Sequence, residues 1–213
     1  MKSIAPYALL ATAILLGGCA SSNGYDKASA TSVGLAEAAN SISRGRTQVD
    51  TTLTALNDLV NSPKANLTPQ FQNYRIAVAK LDSISKEVSK NTEAMQKDGS
   101  AYFQTWDMEL AKIHNEEIRS RSTERKAAVS AHFRKVEASY VRAKTDFAPF
   151  MSDLKDIQTA LATDLTLPGI NSIRSVARKA SADASLVRTS LDTLAADFTV
   201  MGVELSPSTP VRK

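Results

Sequence analysis

The 213-residue chain has one cysteine (Cys19), one tryptophan (Trp106) and two histidines (His114 and His132). A single cysteine excludes an intramolecular disulfide framework. Glycine (8) and proline (7) are sparse, which argues against a sheet protein with many turns and for long helices. Aromatics are only 6%, so the core is thin. No apolar run reaches the roughly 20 residues that cross a bilayer as a helix. Charge is close to balanced, 26 basic against 22 acidic residues for a formal +4, which is no strong electrostatic signature.

The motifs of common chemistries are missing too. There is no Gly-rich phosphate loop, no Gly-x-Ser-x-Gly elbow and no His-Glu-x-x-His. The serines have no placed base. Ala111 and Val129 stand three residues before the histidines, where a di-iron bundle needs glutamates. On one continuous helix His114 and His132 share a face about 27 Å apart, too far to hold one metal. His114-x-x-Glu117 reads as a solvated polar pair. The expectation is a protein that is not an enzyme, with no cofactor and no metal.

What is present starts at the N-terminus. Met1-Lys2-Ser3 is a short positive segment, and Ala8 to Leu16 is an uncharged apolar run. That length suits a signal peptide rather than a membrane span. Leu16-Gly17-Gly18-Cys19 matches a lipobox, so residues 1–18 are read as a signal peptide and Cys19 as the lipidated residue. An acylated Cys19 also accounts for a lone cysteine in an exported chain. Ala20 follows Cys19, and in resemblance to Gram-negative lipoproteins this favours the outer membrane, facing the periplasm. Several acyl chains bury far more CH₂ groups than the single chain that binds only marginally. Cleavage removes Lys2 and lowers the small positive charge further; export excludes nucleic acid as a partner.

Residues 19–30 read as a lipidated cysteine and flexible tether, residues 31–203 as a helical bundle and 204–213 as a disordered tail. The first helix is expected from Thr31 to Asn61, with Leu35, Ala39, Ile42, Arg46, Val49, Leu53, Leu56 and Val60 alternating in steps of 3 and 4, a heptad seam. Arg46 either snorkels from this seam or meets an acid on a facing helix. After a break at Asn61 to Leu67, Thr68 and Pro69 serve as N-cap and first helical residue. Phe71, Tyr74, Val78, Leu81, Ser85, Val88, Thr92 and Met95 continue the pattern to Lys97. Lys97-Asp98-Gly99-Ser100 is expected to turn or kink, because Gly costs about 1 kcal/mol against Ala in a helix, with a continuous helix as the alternative.

A third helix from Ser100 or Ala101 then carries the aromatic patch Tyr102, Phe103 and Trp106. The phase from Ile118 to Val129 and Val136 predicts that it runs on unbroken, with a kink or restart near Pro149. Ser122 and Arg125 fall in its apolar stripe. With Arg121 they are candidates for a register-fixing polar layer or a partner contact, since an unpaired buried charge is costly. Arg119 to Lys144 holds eight basic residues against Glu124 and Glu137, read as a solvated helix surface or as a contact for an anionic envelope polymer. Leu165 to Gly169 is the last turn. Ile173, Ala177, Ala180, Ala184, Val187, Leu191, Leu194, Phe198 and Met201 form the final seam, with Gly202 as C-cap.

Narrow heptad seams need partner helices, and short turns make sequence neighbours those partners. The fold class is all-α, an elongated antiparallel bundle or coiled coil of about four helices, with rods of about 45–90 Å. Trp106-x-x-Glu109-Leu110, Ile118-Arg119-x-Arg121-Ser122-x-Glu124-Arg125 and Phe147-x-Pro149-Phe150-x-x-x-Leu154 resemble a family of uncharacterised helical lipoproteins of Gram-negative bacteria, classed as a domain of unknown function. The resemblance implies fold and location, and supplies no catalytic residues. The expected function is a lipid-anchored, non-catalytic envelope scaffold or partner-binding module, oligomeric or not. The alternative is a binding module for a lipid or other amphiphile. An apolar cavity near Tyr102, Phe103 and Trp106 would serve the alternative; a solid heptad core would serve the first reading.

Overall fold

A computed structural model of the chain describes residues 24–206. The signal segment, Cys19 and the end of the tail lie outside them. Four helices follow one another: α1 (Gly24–Asn61), α2 (Thr68–Leu110), α3 (Glu116–Thr163) and α4 (Leu167–Leu205). Among the described residues there is no strand. At 1.5 Å per residue, the 48-residue α3 is a rod of about 72 Å.

The helices form a ring in chain order. Each of α1 and α3 packs on α2 and on α4, and the backbones of the diagonal pairs do not approach each other closely. Three seams are well filled; the fourth, between α2 and α3, is much the thinnest. The heptad positions supply the core. Leu35, Ile42, Val49, Leu56 and Leu59 of α1 are buried, as are Leu81 of α2, Leu154 and Leu161 of α3, and Phe198 and Met201 of α4. Ala177, Ala180 and Ala184 are also buried, and their small side chains let α4 lie close to its neighbours.

Several boundaries depart from the sequence reading, each for a local reason. Residues 24–30, expected as part of the tether, are the first two turns of α1. Asp26 suits the helix N-terminus, and Thr31, buried, donates from its hydroxyl to the Lys27 carbonyl. Residues 97–100 do not break: α2 runs straight through Gly99 to Leu110. The third helix is not continuous from Ser100 but starts at Glu116. Asn115 caps it, accepting the Ile118 N–H at 3.0 Å, and Glu116 and Glu117 occupy the first turn. His114 therefore lies in a turn and His132 on α3, so the two do not share a helix face.

Pro149 sits inside α3, which stays helical on both sides of it. The cap before α2 is Leu67 rather than Thr68, and it makes no side-chain cap hydrogen bond. Gln70 fastens that turn instead, donating to the Asp58 and Ser62 carbonyls and accepting the Lys64 N–H. At the other turn Thr166 caps α4 by accepting the Gly169 N–H. Gly202 is no C-cap; it lies inside α4, where Ser32 of α1 donates to its carbonyl at 2.9 Å. α4 therefore runs on through Leu205, past the residue 203 expected as the end of the bundle.

Candidate functional site

The thin α2–α3 seam opens into a groove of about 650 Å³. Its sides are Leu81, Ile84 and Val88 of α2 and Phe147 and Met151 of α3; Ile42, Leu191 and Leu194 reach in from α1 and α4 as its floor. The opening has a sequence cause. Gly45, Ser85, Ser89, Ala143 and Ala148 border it, and five residues this small cannot fill the space between two helices that larger seam residues hold apart elsewhere.

Two of the polar links across the seam lie at the groove. The Ser89 and Tyr140 hydroxyls share a hydrogen bond at 3.0 Å. Lys155 donates to Asp82 at 2.6 Å, and Lys86 pairs with the other Asp82 oxygen at 2.7 Å. The hydrogen bonds from Lys155 and then Lys86 hold the Asp82 carboxyl below the usual aspartate range. Lys90 and Lys144 also line the groove, and neither has an ion-pair partner among the described residues. The groove thus combines an apolar bed with a lining that carries Lys86, Lys90, Lys144 and Lys155 against one acid, Glu93.

The Asp82 link makes acid sensitivity predictable in sign. A folded-state pKa below the unfolded value near 3.9 gives stability that is fully present above that value and lost as pH falls through the lowered one. The group is near the surface, so the contribution is under about 1 kcal/mol. Asp82→Asn should remove it at neutral pH and flatten the acid limb of the stability curve measured by urea unfolding. An unchanged acid limb would show that this link does not tie the seam.

The residues picked out from sequence come together differently than expected. Tyr102, Phe103 and Trp106 are on α2 and do not line the groove. Tyr102 lies 5.4 Å from each of the other two ring centroids, and Phe103 meets Phe133 of α3 edge-on at 5.5 Å. Burial raises the Tyr102 pKa, opposed by the charge of Arg125. Arg121, Ser122 and Arg125 form no buried layer. Ser122 accepts the Trp106 indole N–H at 3.0 Å. Arg125 is exposed and donates to the Glu204 carbonyl in the last turn of α4. Arg121 is exposed and pairs with Glu117. Beyond the end of α4, no third helix among the described residues buries the stripe of α3, so these positions stay wet.

The basic run is largely neutralised within the chain. Arg119 pairs with Glu116, Lys126 with Asp107 and Lys135 with Asp197. His132 meets Glu204 at 2.7 Å. Arg46 satisfies both of its readings: it is half exposed, and it pairs with Asp50 on its own helix and Asp192 on α4.

Sequence reasoning missed the polar contacts that do fix register. Gln48 and Thr52, both buried, donate to the Ala77 carbonyl across α1–α2. Asp197, buried on α4, accepts from Lys135 and Ser139 of α3. The Tyr74 hydroxyl donates to the Leu154 carbonyl at 2.7 Å across α2–α3. Tyr74 itself stood in the predicted seam, but which polar residues face a neighbour depends on helix rotation that a heptad count does not resolve.

No described helix is long and apolar enough to cross a membrane, and the described residues hold no cluster of three or more potential metal ligands. No curated protein and no solved structure matches the chain. One family does, over residues 19–197, described as a protein of unknown function, DUF2959. By a match over most of its length, the chain belongs to the DUF2959 family.

Proposed function

We propose that this is a lipid-anchored envelope protein, held to the outer membrane by acylated Cys19, whose periplasmic bundle binds a partner protein without catalysis. The observation that carries the binding role is the α2–α3 groove, an apolar bed with a lining that carries Lys86, Lys90, Lys144 and Lys155 against one acid, Glu93. An amphipathic helix with acidic flanks suits it: the apolar face enters the groove and the acids meet the lysines. The α2 side of the groove, Leu81 to Glu93, lies in the middle of that helix, about 36 Å at helical rise from the 111–115 turn. The anchor is supported by the lipobox Leu16-Gly17-Gly18-Cys19 behind an apolar run.

A second reading has its own support. The groove volume of about 650 Å³ falls among small-molecule sites of roughly 300–1,000 Å³, so a single-chain anionic amphiphile would also fit. One experiment separates them. A photo-crosslinking residue at Ala148, exposed on the groove edge, should yield a discrete protein adduct in cells. A lipid adduct instead would favour the amphiphile. Crosslinking no different from that of the same residue at Ile76, exposed on α2 outside the groove, would reject both. For the anchor, palmitate labelling should be lost in Cys19→Ser and the protein should leave the membrane fraction; equal labelling of the two would overturn it.

A further inference from the structure

The α2–α3 hairpin outruns the rest of the bundle. Gln48 and Thr52 meet Ala77, and Gly45 faces Ile84. In this antiparallel register Gly24, the start of α1, lies level with about residue 104 of α2. At the same end, Glu204 near the close of α4 meets Arg125 and His132 of α3. Among the described residues, only α2 and α3 continue past these levels, joined by the turn at residues 111–115. From Trp106 to Ala128 no residue is buried. Met108 is 59% and Ile118 56% exposed, and Leu110 and Ile113 are half-buried between them. The Trp106–Ser122 hydrogen bond and the Lys126–Asp107 pair tie the two arms of the hairpin together, but among the described residues no third helix covers its apolar side chains.

Chain length decides what does. The turn lies about 9 residues of helix, roughly 14 Å, beyond the level of Gly24. The link from Cys19 to Gly24 is five residues, which span at most about 18 Å when fully extended. A bundle standing on a lipid at Cys19 therefore brings the hairpin tip to the level of the anchor itself. We propose that the tip, from Met108 to Ile118, seats in the interface of the lipid bilayer; this rests on the reading of Cys19 as the lipidated residue. Met108, Ile113 and Ile118 enter the acyl boundary, and Trp106, its indole N–H already bound to Ser122, stands just above it. The cations here are paired within the chain: Lys112 with Glu109, Arg119 with Glu116, Arg121 with Glu117 and Lys126 with Asp107. The contact is apolar and does not require anionic lipid.

The test uses the lipidated, full-length protein on phosphatidylethanolamine vesicles with and without phosphatidylglycerol. An environment-sensitive fluorophore is placed at Ile118→Cys and, for comparison, at Ile76→Cys, 65% exposed toward the other end of α2. The expected result is blue-shifted emission at 118, most of it lost with nitroxide-labelled lipid, in both vesicle types, while 76 stays quenchable by aqueous iodide. Adding Met108→Asp should reverse the shift. Iodide quenching at 118 equal to that at 76, with palmitate still on Cys19, overturns the seating and leaves the anchor standing. A blue shift at 118 without nitroxide quenching overturns it in favour of a second copy or another protein on the tip. Palmitate incorporation unchanged by Cys19→Ser overturns the anchor, and the seating with it.

Discussion

Truncating Tyr74 to alanine should destabilise the bundle by about 3–5 kcal/mol, the range for removing a large buried aromatic ring. Tyr74 is fully buried, and its hydroxyl reaches the Leu154 carbonyl across the thinnest of the four seams. Elsewhere a lost contact is shared among many neighbours; along α2–α3 few others hold the two helices at a fixed distance. Tyr74→Phe isolates the hydroxyl and should cost about 0.5–1.5 kcal/mol. A pH signature separates the two effects. Burial raises the Tyr74 pKa above its ordinary value. The stability this represents is present below the unfolded pKa near 10 and declines as pH rises above it, because the unfolded chain ionises first. Thermal unfolding followed by circular dichroism should show that decline in the wild type and less of it in Tyr74→Phe. Equal alkaline limbs, with a loss below 1 kcal/mol in Tyr74→Ala, would mean that the seam does not depend on this residue.

The same seam shows how far a heptad reading goes. Apolar steps of 3 and 4 identified the helices and most buried positions, because burial of a narrow stripe leaves a direct imprint on residue type. The helix ends were less legible. Gly99 reads as a turn or kink, with a continuous helix as the alternative, whereas the break falls before Asn115-Glu116-Glu117, which carries an N-cap and an acidic first turn. Propensity weighs a glycine against alanine in an isolated helix; it does not register what packs on the missing side chain. Phase continuity from Ile118 to Val136 holds, since α3 is unbroken from Glu116, but it does not reach back across the break at residues 111–115. Ile118 is exposed, so its agreement with the stripe carried no packing.

The groove was not legible at all. Gly45, Ser85, Ser89, Ala143 and Ala148 are scattered over three helices, and only the ring order brings them to one place. Their small size is visible in the sequence, but their adjacency is a tertiary fact. The charged residues tell a similar story. The run from Arg119 to Lys144 looks like a basic surface when counted along the chain, whereas in the fold most of its cations meet acids one turn away or on α2 and α4. Lys144 remains, and its place beside the groove gives it a role that local charge counting could not.

Gly99 supplies the sharpest test of packing against propensity. In an exposed helix interior, Gly→Ala stabilises by up to about 1 kcal/mol. At residue 99 the sign should reverse. Gly99 is buried in α2, and a Cβ there would overlap the Phe133 ring of α3. Phe133 is itself buried and in contact with Phe103, so it has little room to move aside. Gly99→Ala should therefore destabilise by about 1–3 kcal/mol, the cost of overpacking a filled core. Gly45→Ala is the counterpart: its Cβ would meet the Ile84 Cγ2 at 3.5 Å, an ordinary contact, and it should stabilise by about 0.5–1 kcal/mol. Urea unfolding of both variants reads the two signs directly. Phe133→Ala closes the cycle. Once the ring is gone, adding Gly99→Ala should cost nothing or gain stability, giving a coupling energy above about 1 kcal/mol between two residues in contact. If Gly99→Ala were equally destabilising without the ring, the glycine would be needed for the backbone of α2 rather than for the approach of α3, and the close packing of Phe133 would not be what holds the base of the projecting hairpin.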